Sequence, residues 1–197
     1  MTPARVLLPL LALVLSACAS SNRVVQLPQY GADLYPQAQT QAGVTVAVDE
    51  MRNAERVERL FGADLLKEGI LPVSVVVSNY GKQRVLLKPS DVLLYQGKEV
   101  IDPLPVEKVM GSARPKSYGD AMLKETLVQP NETYRGIMFF AVPAPKRGLD
   151  RFFASLSLYP EEGPKMRVGM TNLESGERIL FAPFPVKLPE RGGAFSY

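Results

Sequence analysis

Apolar and polar residues alternate along Ile70–Asn79. Leu71, Val73, Val75 and Val77 fall on one side of an extended chain, and Pro72, Ser74 and Ser78 on the other. The run Val75–Val77 is β-branched throughout, which suits a pleated surface. Gly69 frees its start, and Asn79-Tyr80-Gly81 supplies turn chemistry at its end. The pattern predicts a central strand. The same alternation predicts strands at Val44–Val48, Arg84–Lys88, Asp91–Tyr95 and Glu99–Ile101, the last two joined by a turn at Gln96-Gly97-Lys98. Further on, Tyr134–Val142 is apolar on both faces, as in a strand covered on two sides. Phe152–Tyr159 and Lys165–Met170 alternate again, and Glu177–Val186 carries Pro183 and Pro185, which mark an edge or an exit.

Two stretches carry the helical period instead. Met51, Ala54, Val57, Phe61 and Leu65 recur at helical spacing, predicting a helix from Glu50 with Asp49 as its cap. Gly62 splits it, and Gly69 ends a shorter turn after it. Val106–Met110 and Ala121–Leu127 read as short helices inside residues 102–131, an irregular region punctuated by Pro103, Pro105, Pro115 and Pro130. About eight short strands with turn signals between them predict a mainly β protein, a β-sandwich with one or two short helices.

Composition narrows the chemistry more than the fold. The chain has 197 residues, 46% hydrophobic and 22% charged, with a formal charge of +3. A domain of roughly 150 residues buries about 70% of its extended-chain surface and needs no metal or disulfide to hold it. Basic residues are scattered, without the stripe and interleaved aromatics of a nucleic-acid binder. The chain contains no histidine, which excludes Ser-His-Asp and Cys-His catalysis and His-ligated zinc. One cysteine excludes an intramolecular disulfide and Cys-x-x-Cys chemistry.

That cysteine stands at a telling place. Arg5 opens a segment whose run from Val6 to Val14 is apolar apart from Pro9, and Leu15-Ser16-Ala17-Cys18 closes it. The layout is that of a secretory signal, and the apolar run is too short to cross a bilayer. Leu15-Ser16-Ala17-Cys18 resembles the lipobox of bacterial lipoproteins. The resemblance implies cleavage before Cys18, a diacylglycerol thioether on its sulfur and acylation of the new amine. Ordinary signal cleavage, which Ala17-Cys18-Ala19 also fits, is the alternative. Ala19 instead of Asp after the cysteine implies an outer-membrane anchor facing the periplasm if the cell is Gram-negative. On this reading residues 1–17 are the signal, 18–43 a lipidated tether, 44–188 the β-sandwich domain and 189–197 a frayed tail.

A second resemblance concerns the domain. Val75-Val76-Val77-Ser78-Asn79, Leu93-Leu94-Tyr95-Gln96-Gly97 and the run from Gln129-Pro130-Asn131 through Gly136 and Phe139 to Pro143 are similar to an immunoglobulin-like domain of bacterial surface and secreted lipoproteins. The resemblance implies an immunoglobulin-like sandwich, with Asn79 and Gly136 as turn and packing residues. Where the family has Gly after the Pro, this chain has Asn131, which tolerates a left-handed turn.

Carboxylates are the catalytic groups that remain. Asp91 with Glu99, Glu107 with Asp120, and Glu161 with Glu162 are the pairs to weigh for glycoside cleavage, and each sits in turn-like surroundings. There is no calcium-type run of Asp and Asn and no Gly-rich phosphate loop. The expectation is therefore a non-enzyme without cofactor or metal. It would be a membrane-anchored interaction or scaffold lipoprotein of the bacterial envelope, partnered by the membrane through its lipid and by another envelope protein. Arg114, Lys116 and Lys124 make the irregular region basic and are the partner surface to test. The alternatives are a carrier or sensor of a small apolar ligand, built on Met110, Met122, Met138, Met166 and Met170, and a carboxylate-dependent cell-wall hydrolase.

Overall fold

The computed structural model describes residues 30–110, 118, 120–141 and 163–189. The signal segment, Cys18, Arg114, Lys116, the strand expected at Phe152–Tyr159, the Glu161-Glu162 pair and residues 190–197 lie outside the described residues. Within them the strands are β1 (Gln39–Gln41), β2 (Val44–Glu50), β3 (Ile70–Asn79), β4 (Val85–Leu87), β5 (Val92–Gln96), β6 (Glu99–Ile101), β7 (Thr126–Val128), β8 (Thr133–Ala141), β9 (Lys165–Asn172), β10 (Arg178–Leu180) and β11 (Phe184–Pro185). Two short helices, α1 (Ala54–Phe61) and α2 (Val106–Met110), accompany them.

The first sheet has the order β1-β2-β3-β8, antiparallel throughout. β3 is its centre, with β2 on one side from Val44 opposite Asn79 to Glu50 opposite Val73. β8 lies on the other side, from Ile70 opposite Ala141 to Ser78 opposite Thr133. Every residue of β3 is buried. Pro72 is tolerated here because β2's register stops at Glu50, and the carbonyl of Pro72 simply accepts from Met51 N at 3.0 Å.

The second sheet is gathered on β9. β4 and β5 pair one side of that strand, and β10 and β11 the other: Met166 faces both Leu94 and Phe184, and Thr171 faces both Leu86 and Arg178. β6 extends β5, and β7 extends β4. The two sheets lie face to face. Val46, Val73, Val75, Val77, Met138 and Phe140 of the first share one buried cluster with Leu87, Leu94, Met166, Val168 and Met170 of the second. The protein is mainly β, two sheets with two short helices, an arrangement consistent with the immunoglobulin-like sandwich.

Three expectations are corrected. Asp49 does not cap a helix: β2 runs on through it in register with β3, and the helix starts later, where Asn53 Oδ1 accepts from Arg56 N at 2.8 Å. Gly62 does end that helix, in a left-handed conformation with φ 68°. Ala121–Leu127 is not a helix; Thr126–Val128 is drawn into β7 because the ladder of β4 offers it a partner. The tether expected to reach residue 43 gives way earlier, since β1 pairs with β2 and Ala32 is buried against Ala47 and Val76.

Candidate functional site

The inner face of the first sheet is consumed by the core, so its outer face is where side chains are left for other work. Thr45, Ala47 and Asp49 of β2, Ser74, Val76 and Ser78 of β3, and Thr133, Arg135, Ile137 and Phe139 of β8 alternate with the core positions and point there. Two different covers lie over it.

Over one half lie the helices. Val57 and Phe61 of α1, with Met51, Leu65, Val109 and Tyr118, bury Ile137 and Phe139 in a second apolar cluster. Phe61 stacks on Tyr118 at 5.5 Å and meets Phe139 edge-on at 5.5 Å. The Tyr118 hydroxyl donates to the Phe61 carbonyl. Burial, reinforced by the negative charge of Glu68, pushes the Tyr118 phenol above its ordinary value.

Over the other half runs a strap, residues 30–38. Ala32 N donates to Ser78 Oγ at 2.9 Å, and Ser78 Oγ shares a 2.8 Å bond with Thr133 Oγ1. The ring of Tyr35 lies over the Arg135 guanidinium, 5.2 Å from Cζ to the ring centre. Beneath this strap the polar groups are not all matched. Arg135 Nε, Nη1 and Nη2 are out of solvent's reach with no hydrogen-bond partner among the described residues, as are Ser74 Oγ and Gln37 Oε1. Burial pulls the Arg135 guanidinium below its ordinary value.

Near α1's start, a cleft of about 450 Å³ is lined by Glu50, Arg52, Asn53 and Arg56. Its cations are already engaged. Arg56 grips Asp49 with two bonds of 3.0 and 2.5 Å, and Arg52 pairs with Glu50 at 3.6 Å. The Asp49 carboxylate raises the Arg56 guanidinium further.

The other residues singled out in the sequence are dispersed. Lys124 is exposed and pairs with Asp120 at 3.3 Å, both side chains staying largely in solvent. Asp91 is held by Arg178 at 2.7 Å, whereas Glu99 is exposed on β6, so these two acids do not form a working pair. Glu107 is exposed on α2 while Asp120 serves Lys124. Among the described residues no group of three or more His, Cys, Asp or Glu converges to hold a metal. Met138, Met166 and Met170 are packed in the main core, and Met122 lies against the second cluster. They fill space; none lines the cleft.

Asn79 and Gly136 have structural work. Asn79 Nδ2 donates to the carbonyls of Gln83 (2.8 Å) and Val128 (3.1 Å), and its Oδ1 accepts from Gly81 N at 3.0 Å. It joins the end of β3 to β7 in the opposite sheet. A Cβ at Gly136 would come within 2.6 Å of Leu123 Cα. Only glycine admits the segment that crosses there, where Leu123 N bonds the Ile137 carbonyl and Ile137 N bonds the Ala121 carbonyl, each at 2.9 Å. That segment closes part of β8's edge. β6 stays open, paired only with β5 among the described residues, and Val100 is 56% exposed. The unmatched group that sequence reading missed is Arg135, the one charged residue of its strand.

The fold and these surfaces define a β-sandwich protein without an assembled reaction centre among the described residues. No family model and no curated protein matches the chain. Among solved structures it is similar to the Bacillus subtilis ycdA protein, described there as a "putative lipoprotein": identity is 14%, TM-score 0.39, covering 74% of this chain and 37% of that one. It is also similar to yjhA of Bacillus subtilis (10%, TM-score 0.42, covering 74% and 94%). A third is the FixG-related protein of Vibrio parahaemolyticus (13%, TM-score 0.36, covering 74% and 98%). The chain thus spans little more than a third of the length of ycdA. No described helix is long and apolar enough to cross a membrane.

Proposed function

We propose that this protein is a non-catalytic interaction module of the bacterial cell envelope, held on the membrane by lipid attached to Cys18. The observation that carries the reading is Leu15-Ser16-Ala17-Cys18 at the end of a short apolar segment. Several acyl chains, at about 0.8 kcal/mol per buried CH₂, make such an anchor effectively permanent. In a Gram-negative cell, Ala19 after the cysteine sends the anchor to the outer membrane, with the domain in the periplasm. Support for a binding role comes from β6, whose unpaired edge and exposed Val100 suit an added strand from an envelope partner.

The test is mass analysis of the N-terminal peptide with fractionation of Cys18→Ser. An acylated Cys18 and release of the variant into the soluble fraction are the expected results. An unmodified thiol at residue 18 overturns the anchor. A photo-crosslinker at Val100 tests the second half, with a reproducible adduct to one envelope protein expected. A crosslinker that captures nothing removes the edge-binding role.

A further inference from the structure

Arginine cannot escape burial by losing its proton, because its guanidinium stays charged at any pH a folded protein meets. A buried cation is therefore tolerated only when something answers it, and an unanswered one costs several kcal/mol. Arg135 is such a cation. Solvent does not reach its three nitrogens, and no described residue accepts from them. The Tyr35 ring covers one face of the group, but such a contact contributes only about 0.5–2 kcal/mol and leaves all five N–H groups unused.

No described carboxylate reaches it, and the acids near it in sequence or on the same face have other partners. Asp49, on the same sheet face, gives both oxygens to Arg56. Asp33 of the strap accepts from the Tyr80 hydroxyl, and Glu132 accepts from Gln129 N at 2.8 Å. Ser74 adds a further donor. It stands opposite Ile137, two residues along from Arg135, so the two lie diagonally across β3 and β8 on one face. Gln37 lies on the strap above with its Oε1 also unmatched. The floor of this site, Arg135 with Ser74, can turn N–H and O–H donors toward one ligand.

We propose that Arg135 and Ser74 form a binding site for a small oxyanion that presents two oxygens to the guanidinium fork, as a carboxylate or a phosphate group does. The planar fork matches that geometry in two parallel charge-assisted bonds, and a hydroxyl beside it supplies a third. Access is through the strap. Between the anchor at Ala32 and the start of β1, its backbone bonds close only on itself: Leu34 N to Gly31 O, Tyr35 N to Ala32 O and Ala38 N to Tyr35 O. Lifting residues 33–38 breaks the Tyr35 stack and the Asp33–Tyr80 bond and leaves the sheet ladder intact. The inference does not depend on lipid at Cys18.

The experiment is thermal unfolding of the full chain in chloride, acetate and inorganic phosphate at matched ionic strength. A fourth arm uses micelles of short-chain phosphatidylglycerol, and calorimetric titration accompanies all four. Acetate or phosphate is expected to raise the midpoint by about 5–10 °C at a hundredfold excess over its dissociation constant. A response to free ions marks a soluble ligand, and one confined to the micelles marks a lipid headgroup as the source of the same chemistry. Arg135→Lys, which keeps the charge and loses the fork, is expected to bind at least about tenfold more weakly. Arg135→Met should abolish the response and melt higher than the parent in chloride, since it removes an unanswered buried charge. A parent indifferent to every anion, or an Arg135→Met variant that melts lower in chloride while the anion response persists, overturns the proposal.

Discussion

The outer face of the first sheet is covered twice, and the two covers work on opposite terms. Under the helices, Ile137 and Phe139 meet Val57, Phe61, Leu65 and Tyr118, and the one buried hydroxyl has the Phe61 carbonyl as its partner. Under the strap, only two to four residues away along the same β8, Arg135 lies with its nitrogens unmatched beneath one aromatic ring. Apolar burial stabilises at about 25 cal/mol per Å² whatever the neighbours, whereas a buried charge is stable only with a specific partner. The first cover is therefore cement. The second is a device that lacks one component.

The largest effect should come from the cemented half. Phe139→Ala empties a fully buried ring site at the centre of the second cluster, and its expected cost is about 3–5 kcal/mol in urea unfolding. A cost under about 1 kcal/mol would mean that the helical cover is loosely laid, and the contrast between the halves would vanish.

Tyr118→Phe sharpens the same half. It keeps the ring stack and removes one buried hydrogen bond, for an expected loss of about 1 kcal/mol near neutral pH. Its pH dependence has a definite sign. Burial and Glu68 raise the phenol's folded value, so its contribution is full below the ordinary phenol range near 10 and is lost as pH rises through the folded value. The parent should thus lose stability more steeply than Tyr118→Phe in alkaline unfolding series. Parallel curves for the two proteins would place the hydroxyl in water.

Much of the scaffold could be read from residue order. The alternation of Leu71, Val73, Val75 and Val77 marked the inner face of β3, and Met166, Val168 and Met170 marked β9, because burial on one face imposes a period of two. Gly62 was legible as a stop because few other residues hold φ 68° cheaply. β1, whose Gln39-Thr40-Gln41 is wholly polar, carried no such mark, and it forms because β2 offers an edge. Thr126–Val128 is a strand for the same reason. Asp49 and Asn53 are both good caps by composition, and only the register of β2 decides between them. Arg135 was invisible as a site. Whether an arginine is paired depends on residues such as Asp49, 86 positions away, and Tyr35, 100 positions away, that folding brings together or keeps apart.

The smallest expected change tests whether the second cover is separable from the fold. Ser78 Oγ is the polar pin of the strap, accepting from Ala32 N and sharing a bond with Thr133 Oγ1. In Ser78→Ala the cavity is negligible and the sheet ladder is untouched, so the global loss should stay at about 0.5–1 kcal/mol. The strap itself loses its one backbone bond to the sheet before β1 and keeps the Ala32 contacts with Ala47 and Val76, the Tyr35 stack and the Asp33–Tyr80 bond. Amide exchange over residues 32–38 should therefore speed up about tenfold while exchange in β3 is unchanged, because opening confined to one segment does not report on the whole. If instead Ser78→Ala speeds no exchange locally and lowers global stability as far as Phe139→Ala does, strap and sheet unfold as one unit. The route to Arg135 would then have to lie elsewhere than beneath Tyr35.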